Sequence, residues 1–99
     1  MPKLDDTAVA TALGSLPEWW RDGDTLVRTY RRRDWVDAVA LLNAIAAEAQ
    51  RRDHHPDVCI EGYNRLTIRL TSHDSGGITQ RDVDLAEWIE AAAQPDSAT

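Results

Sequence analysis

The chain has few of the residues on which several classes of protein depend. Cys59 is the only cysteine among 99 residues, so no internal disulfide can form and no thiolate cluster can hold a metal ion. No apolar run approaches the roughly 20 residues that cross a bilayer. The first residues also lack the hydrophobic segment of a signal peptide. From these absences we expect a cytoplasmic protein without contact with membranes.

Basic charge is also scarce. Lys and Arg together number 11 against 17 Asp and Glu, which gives a net charge of −6. This charge opposes general binding of nucleic acid, which needs a cationic surface. We therefore expect no nucleic-acid partner. The one basic run, Arg31-Arg32-Arg33, is an anion patch or, more often, a solvated strand end.

What the chain does contain is typical of a globular domain. Apolar residues make up 42% of the sequence and charged residues 28%, both ordinary fractions for such a domain. The length is that of one domain, so we expect residues 1–99 to fold as a single unit. The polar tail from about residue 94 is expected to be flexible.

Apolar periodicity and turn signals predict seven elements. Asp22-Gly23 is a strong hairpin signal, and Leu66, Ile68 and Leu70 alternate with polar residues as in a strand with one buried face. In chain order the predicted elements are a first helix, capped by Asp5 and Asp6, that ends at about Gly14, a hairpin of residues 19–21 and 25–30, a helix over 35–52 capped by Asp34, a hairpin of 58–63 and 65–72, and a helix over 80–93 capped by Thr79. A loop at 75–77 precedes the last helix. Hairpins separated by a helix predict an α+β fold, a four-stranded antiparallel sheet with three helices on one face in the order α-β-β-α-β-β-α.

The same pattern predicts the environment of several side chains. The apolar stripe of the 35–52 helix is expected to consist of Trp35, Ala38, Val39, Leu42, Ile45, Ala46 and Ala49. Trp35 and Trp88 lie on apolar stripes and are expected in the core. Trp19 and Trp20 are neighbours on a strand, so they should point to opposite faces, one of them exposed. Cys59, within a predicted strand, is expected to be a small buried residue.

All three histidines lie near two points of the chain. His54 and His55 precede Pro56 at the end of the long helix, and His73 follows the last predicted strand. Histidine has an unperturbed pKa near neutral pH and is the usual carrier of protons in catalysis. If the last strand packs beside its hairpin partner, the two points approach one another at one rim of the sheet. The pattern indicates a proton-transfer site, although chance placement accounts for it as well.

Asp82 is a further candidate. It is the third residue of the last helix, where it can complete a capping box with Thr79, and it lies on the inward side of the helical wheel. It either satisfies the helix N-terminus or reaches a site, and the two roles are compatible. A zinc site built from the histidines with Asp53, Asp57 and Asp74 is a weaker alternative, because adjacent histidines chelate poorly.

Several short motifs that follow one another in a fixed order are more informative together than any one of them alone. In order they are Glu48-Ala49-Gln50-Arg51-Arg52-Asp53-His54-His55-Pro56-Asp57, Tyr63-Asn64-Arg65-Leu66-Thr67, Leu70-Thr71-Ser72-His73-Asp74-Ser75-Gly76-Gly77-Ile78-Thr79 and Arg81-Asp82. From about Leu16 to Ala92 the chain resembles the pterin-4a-carbinolamine dehydratase family.

The resemblance implies a fold of the predicted kind, assembled as a homodimer or homotetramer. It implies an enzyme that dehydrates 4a-hydroxytetrahydropterin to quinonoid dihydropterin, recycling the cofactor of aromatic amino acid hydroxylases, with no metal and no organic cofactor. His54, His55 and His73 would be catalytic, and Asp82 would orient a histidine or bind the pterin. The family fold also serves as a dimerisation cofactor and, in related domains, as an assembly chaperone, so a non-catalytic module is the alternative.

The sequence departs from the family pattern in three places. Many members carry Glu four residues before the first histidine of the pair, where this chain has Gln50. Some members have aromatic residues where this chain has Val58-Cys59-Ile60. The stretch from Pro56 to Tyr63 is one residue longer, which suggests a bulge near Gly62.

Overall fold

In a computed structural model, residues 2–94 are described and form three helices and four strands. In chain order they are α1 (Asp6–Leu13), β1 (Trp20–Asp22), β2 (Thr25–Arg31), α2 (Trp35–Arg52), β3 (Asp57–Glu61), β4 (Arg65–Leu70) and α3 (Gln80–Ala93). The predicted α+β class and element order are confirmed. Most of the predicted flexible tail, residues 95–99, lies outside the described residues. Among residues 2–94, no helix combines the length and apolar composition needed to cross a membrane.

The four strands form one antiparallel sheet in the order β1-β2-β4-β3. The central strands β2 and β4 pair with Leu26 opposite Leu70, and β3 pairs with β4 with Val58 opposite Ile68. This register places the alternating apolar residues of the strands on one face of the sheet.

The core lies between that face and the helices. Leu66, Ile68 and Leu70 are fully buried, as their alternation predicted. They belong to one apolar cluster with residues from all three helices, among them Val9, Leu41, Ile45, Leu85 and Ile89. The three helices therefore cover the same face of the sheet, and burial of this face supplies the main driving force for folding.

Side-chain caps begin each helix where the sequence predicted them. The Asp5 carboxylate accepts from the N–H of Ala8 at 2.8 Å, and Asp34 accepts from Asp37 at the same distance. Thr79 and Asp82 form the capping box of α3. Each cap satisfies helix N–H groups that have no partner within the helix.

The buried stripe of α2 is rotated from the predicted one. Its buried residues are Ala38, Leu41, Ile45 and Ala49. Trp35 was predicted to be in the core and is instead 53% exposed, so that prediction is wrong. The helix packs along the narrower set of small and branched residues, and Trp35 is left on the solvent side of its first turn. Trp88 is half-buried against the core.

Two strand predictions also need correction. The pairing of β3 with β4 runs unbroken from Asp57 to Glu61, so the predicted bulge is absent from the strand, and Gly62 and Tyr63, both with positive φ, belong to the turn that follows it. Cys59 is exposed, because it pairs with Thr67 on the face of the sheet that the helices do not cover. The second strand of this hairpin ends at Leu70, before Ser72, which forms an isolated bridge with Gly77. A short 3-10 turn, His73–Ser75, lies between them.

The first strand pair confirms one prediction and refines another. Trp19 is buried and Trp20 is 47% exposed, as expected for neighbours that point to opposite faces. Within the basic run Arg31 and Arg33 are exposed, but Arg32 is half-buried. Its guanidinium donates to the backbone oxygen of Ala93 at the end of α3, at 2.8 Å. Arg32 therefore stabilises a helix terminus and is not simply solvated.

Candidate active site

The end of α2 turns the two adjacent histidines in different directions. Asp53 follows the helix in the left-handed conformation, with φ 52° and ψ 44°, which aspartate tolerates better than most residues. The N–H groups of Asp53 and His54 bond back to the carbonyls of Gln50, at 3.2 Å, and Ala49, at 3.1 Å. The chain then leaves the helix axis, so His54 is buried and His55 is exposed.

His54 is bound to Asp82. Its Nε2 lies 2.5 Å from Oδ1 of Asp82, and the Asp82 side chain is completely buried. The contact joins the end of α2 to the first turn of α3. Asp82 therefore both caps α3 and holds the imidazole of His54.

The other oxygen of Asp82 is fully engaged. Oδ2 accepts from the hydroxyl of Ser72 and from the backbone N–H of Thr79, each at 2.9 Å. The hydroxyls of Ser72 and Thr79 lie 2.9 Å apart. Because hydroxyl and N–H donors converge on Asp82, its carboxylate acts as acceptor, and the Nε2 of His54 carries the proton of their shared hydrogen bond. This arrangement fixes the ring orientation of His54.

His55 has a different partner. Its Nε2 lies 2.9 Å from Oε1 of Gln50, one turn back on α2. The partner of His55 is therefore a neutral amide and not a carboxylate. The adjacent histidines are therefore held by a buried carboxylate in one case and by an exposed amide in the other.

The three histidines line one cavity. Its volume is about 400 Å³, and its wall consists of Asp53, His54, His55, Thr71, Ser72, His73, Asp74 and Arg81. His73 is exposed at the start of the short 3-10 turn. The fold thus brings together the two distant points at which the sequence carries histidine. Asp82 does not line the cavity and lies behind His54.

Arg81 links the same two helices a second time. Its Nη2 donates to the backbone oxygen of Asp53 at 2.8 Å and lies 3.5 Å from that of Arg52. Arg81 also lines the cavity, to which it contributes a positive charge.

The arrangement suits proton transfer to a small molecule. Its volume is in the range of small-molecule sites, and its three imidazoles can donate a proton to one atom of a bound molecule and accept one from another. Among the described residues, no three His, Cys, Asp or Glu side chains are grouped so that they could hold a metal ion. The zinc alternative therefore has no geometric support within residues 2–94.

Comparison with known proteins identifies the family of this chain. The family model described as pterin 4 alpha carbinolamine dehydratase matches residues 2–92. The chain belongs to the pterin-4-alpha-carbinolamine dehydratase family. A protein of Thermomicrobium roseum is named as a candidate pterin-4-alpha-carbinolamine dehydratase. It is 46% identical to this chain over 93 residues, which cover 94% of this chain and 99% of that protein.

Solved structures of pterin dehydratase relatives share the fold. A transcriptional coactivator/pterin dehydratase from Brucella melitensis superposes with a TM-score of 0.86 at 27% identity, covering 92% of this chain and 98% of that one. A pterin dehydratase-like protein described as a RuBisCO assembly factor of the alpha-carboxysome superposes with a TM-score of 0.65 at 22% identity, covering 77% and 89%. The second likeness concerns the fold alone.

Sequence reasoning missed several residues that line or support this cavity. The sequence predicts Ser72 only as the end of a strand, although it continues the inward alternation of Leu66, Ile68 and Leu70. That alternation was the available signal. Arg81 gave no local signal, because its partner is a backbone carbonyl on another helix. Gln50 was noted only as a departure, and the structure identifies its contact with His55.

Proposed function

We propose that the protein is a dehydratase that converts 4a-hydroxytetrahydropterin to quinonoid dihydropterin and water. The observation that carries the proposal is the single cavity lined by His54, His55 and His73 in a chain of this family. A flat heterocycle with two proton-exchanging atoms matches a site with several imidazoles at different positions on its wall.

The reaction needs two proton transfers. One proton goes to the 4a-hydroxyl, the C4a–O bond breaks and water leaves. The proton on N5 is removed, and the electrons of the N5–H bond form the C4a=N5 double bond. No electron is gained or lost, so the reaction requires no oxidant. Positioned acid and base groups accelerate such steps by about 10²- to 10⁴-fold.

We assign His54, His55 and His73 as the catalytic residues, with Asp82 completing the site. Asp82 acts through His54, whose Nε2 it binds at 2.5 Å, and this contact leaves Nδ1 as the nitrogen of His54 available for exchange. His55 and His73 are exposed on the cavity wall, where a bound pterin can reach them. The two proton transfers are not divided among individual histidines.

The remaining expectations belong to the same proposal. The enzyme would recycle the pterin cofactor in the cytoplasm, without a metal or an organic cofactor of its own, as a homodimer or homotetramer. The uncovered face of the sheet, on which Trp20 and Cys59 are exposed, and the exposed Trp35 and Val36 of α2 offer apolar surface for such assembly.

A non-catalytic dimerisation or assembly module is the second candidate. The observation that favours it is that two structural relatives are described as a coactivator and as an assembly factor. A module kept for assembly alone would not need three histidines around one cavity, and this chain has all three.

The test generates the carbinolamine with an aromatic amino acid hydroxylase and follows formation of the quinonoid product. Wild-type protein should accelerate it, and His55→Ala and His73→Ala should each lower the rate by about 100-fold. Glu87→Ala is the control, since Glu87 is exposed on α3 and does not line the cavity. Absence of acceleration by wild type would favour the assembly module, and full activity in both histidine variants would refute the site.

A further inference from the structure

Two consecutive residues of α3 hold two consecutive residues at the end of α2. Asp82 binds the imidazole of His54 at 2.5 Å, and Arg81 donates to the backbone oxygen of Asp53 at 2.8 Å. The first contact has a role in the proposed reaction. The second holds the residue that immediately precedes the two histidines in the chain.

We propose that Arg81 is a positioning residue for the His54–His55 pair. Its guanidinium fixes the left-handed end of α2, and thereby the direction of both imidazoles relative to the bound molecule. This inference rests on the proposed function for its catalytic consequence, but its structural part can be measured separately.

The end of α2 needs such a partner. The last carbonyl oxygens of a helix have no N–H donor within the helix. The Arg81 guanidinium reaches two such oxygens, that of Asp53 at 2.8 Å and that of Arg52 at 3.5 Å. A cation at a helix C-terminus is also favourable because of the helix dipole. Asp53 has a positive φ of 52°, a conformation that aspartate adopts more readily than most residues but less readily than glycine. The contact from Arg81 stabilises this conformation.

Arg81 is itself well anchored. Its backbone N–H donates to the hydroxyl of Thr79 at 3.2 Å, within the capping box that Thr79 forms with Asp82. The guanidinium therefore joins the hydrogen-bonded first turn of α3 to the C-terminal end of α2. Such a contact transmits the rigidity of α3 to the peptide that joins Asp53 to His54.

The consequence for catalysis follows from geometry. The oxygen that Arg81 binds belongs to the peptide group whose nitrogen is that of His54, so rotation of this peptide would move both histidines together. Misplacement of a catalytic group by about 1 Å can cost about 100-fold in rate. Loss of Arg81 should therefore reduce kcat and not only stability.

The first test needs no activity. Amide hydrogen exchange is measured in wild type, Arg81→Met and the control Arg51→Met, which removes an equally charged side chain from the last turn of α2. In Arg81→Met the amides of Asp53 and His54, which bond to Gln50 and Ala49, should exchange about tenfold faster, while that of Ile45 is unchanged. Unchanged exchange at the helix end, or equal acceleration in Arg51→Met, would overturn the proposal even if the protein is an active dehydratase.

The second test is kinetic. Arg81→Met should lower kcat about tenfold or more with KM changed less than about threefold, and Arg81→Lys, which keeps a donor and a charge, should recover part of the loss. A rise in KM with unchanged kcat would instead make Arg81 a substrate-binding residue and would refute the positioning role. Inactivity of the wild type would refute the proposed function and leave the exchange result standing.

Discussion

The two ends of α2 make an instructive comparison. At its C-terminal end lies the histidine cavity just described. At its N-terminal end, about 27 Å away along an 18-residue helix, lies a second cavity of about 750 Å³. We call this second region the arginine end, because Arg28, Arg31, Arg32 and Arg33 line it together with Tyr30, Asp37, Glu90 and the end of α3.

Both ends are organised around carboxylates that receive several donors. At the arginine end, Glu90 accepts from the indole N–H of Trp19 at 3.0 Å and from the Tyr30 hydroxyl at 2.5 Å, and Arg28 lies 3.6 Å away. Arg28 also lies over the Tyr30 ring, 4.0 Å from its centre. These contacts connect β2 to the last turn of α3.

The difference lies in which groups can exchange a proton near neutral pH. Arginine stays protonated in proteins, and burial together with the Glu90 carboxylate raises the pKa of Tyr30 above its ordinary value. The arginine end therefore keeps its charges near neutral pH. We call the contacts of Glu90 with Trp19, Tyr30 and Arg28 the clamp, because they hold β2 and α3 together. The histidine end, with the smaller cavity, carries the groups suited to acid–base chemistry, so the chemistry of the wall and not the volume identifies the site.

The largest expected effect is at Asp82. In Asp82→Asn an amide group replaces the carboxylate that His54, Ser72 and the Thr79 N–H contact, and one of its two acceptor oxygens becomes a donor. The substitution should destabilise the protein by about 3 kcal/mol. It should also lower dehydratase activity about 100-fold. Asp84→Asn is the matched control, because Asp84 lies two residues further along α3, is exposed and accepts from the side chain of Gln80 at 2.8 Å. Chemical denaturation and the carbinolamine assay measure the two effects, and equal behaviour of the two variants would contradict the described network.

A smaller effect is expected at Glu90. Glu90→Ala leaves the Trp19 and Tyr30 donors without their acceptor and should cost about 1–3 kcal/mol in the free energy of unfolding. Activity per folded molecule should stay within about twofold of wild type, since the clamp lies at the far end of α2. Loss of activity without loss of stability would remove the distinction between the two ends.

The smallest effect concerns Asp37 in acid. A hydrogen bond from the Arg33 backbone, followed by the charge of Arg32, lowers the pKa of Asp37 below its ordinary value of 3.8. The folded protein thus holds Asp37 ionised where the unfolded chain begins to protonate it. The resulting stabilisation is complete above that ordinary value and is lost as the pH falls through the folded-state value.

The stability of Asp37→Asn relative to wild type measures this contribution. The difference in unfolding free energy between the two proteins should be constant from about pH 6 to pH 5 and should shrink below about pH 4. Curves that stay parallel in acid would show that the Arg33 backbone and the charge of Arg32 do not lower the pKa of Asp37 in the folded protein.

Local signals predicted the elements and the start of each helix. Asp34 and Thr79 are caps whose effect depends on the next three residues only, and Leu66, Ile68 and Leu70 report the inward face of their own strand. The capping position of Asp82 was predictable for the same reason. These features need no knowledge of the rest of the fold.

The features that the sequence did not reveal depend on partners distant in the chain. Trp35 is exposed because the helix packs through Leu41 and its neighbours, a choice set by the sheet beneath. Cys59 is exposed because only one face of the sheet is covered. The contact of Arg81 with Asp53 joins residues 28 positions apart, and no local periodicity encodes it.

Asp82 has a consequence for reading relatives of this protein. The same carboxylate completes the first turn of α3 and holds an imidazole, so a lineage that gave up the reaction would still be selected to keep it for folding. The exposed imidazoles of His55 and His73 do not cap a helix, so such a lineage could replace them without losing the fold. Loss of those two histidines, and not persistence of the aspartate, would then mark the members of the family that have abandoned catalysis.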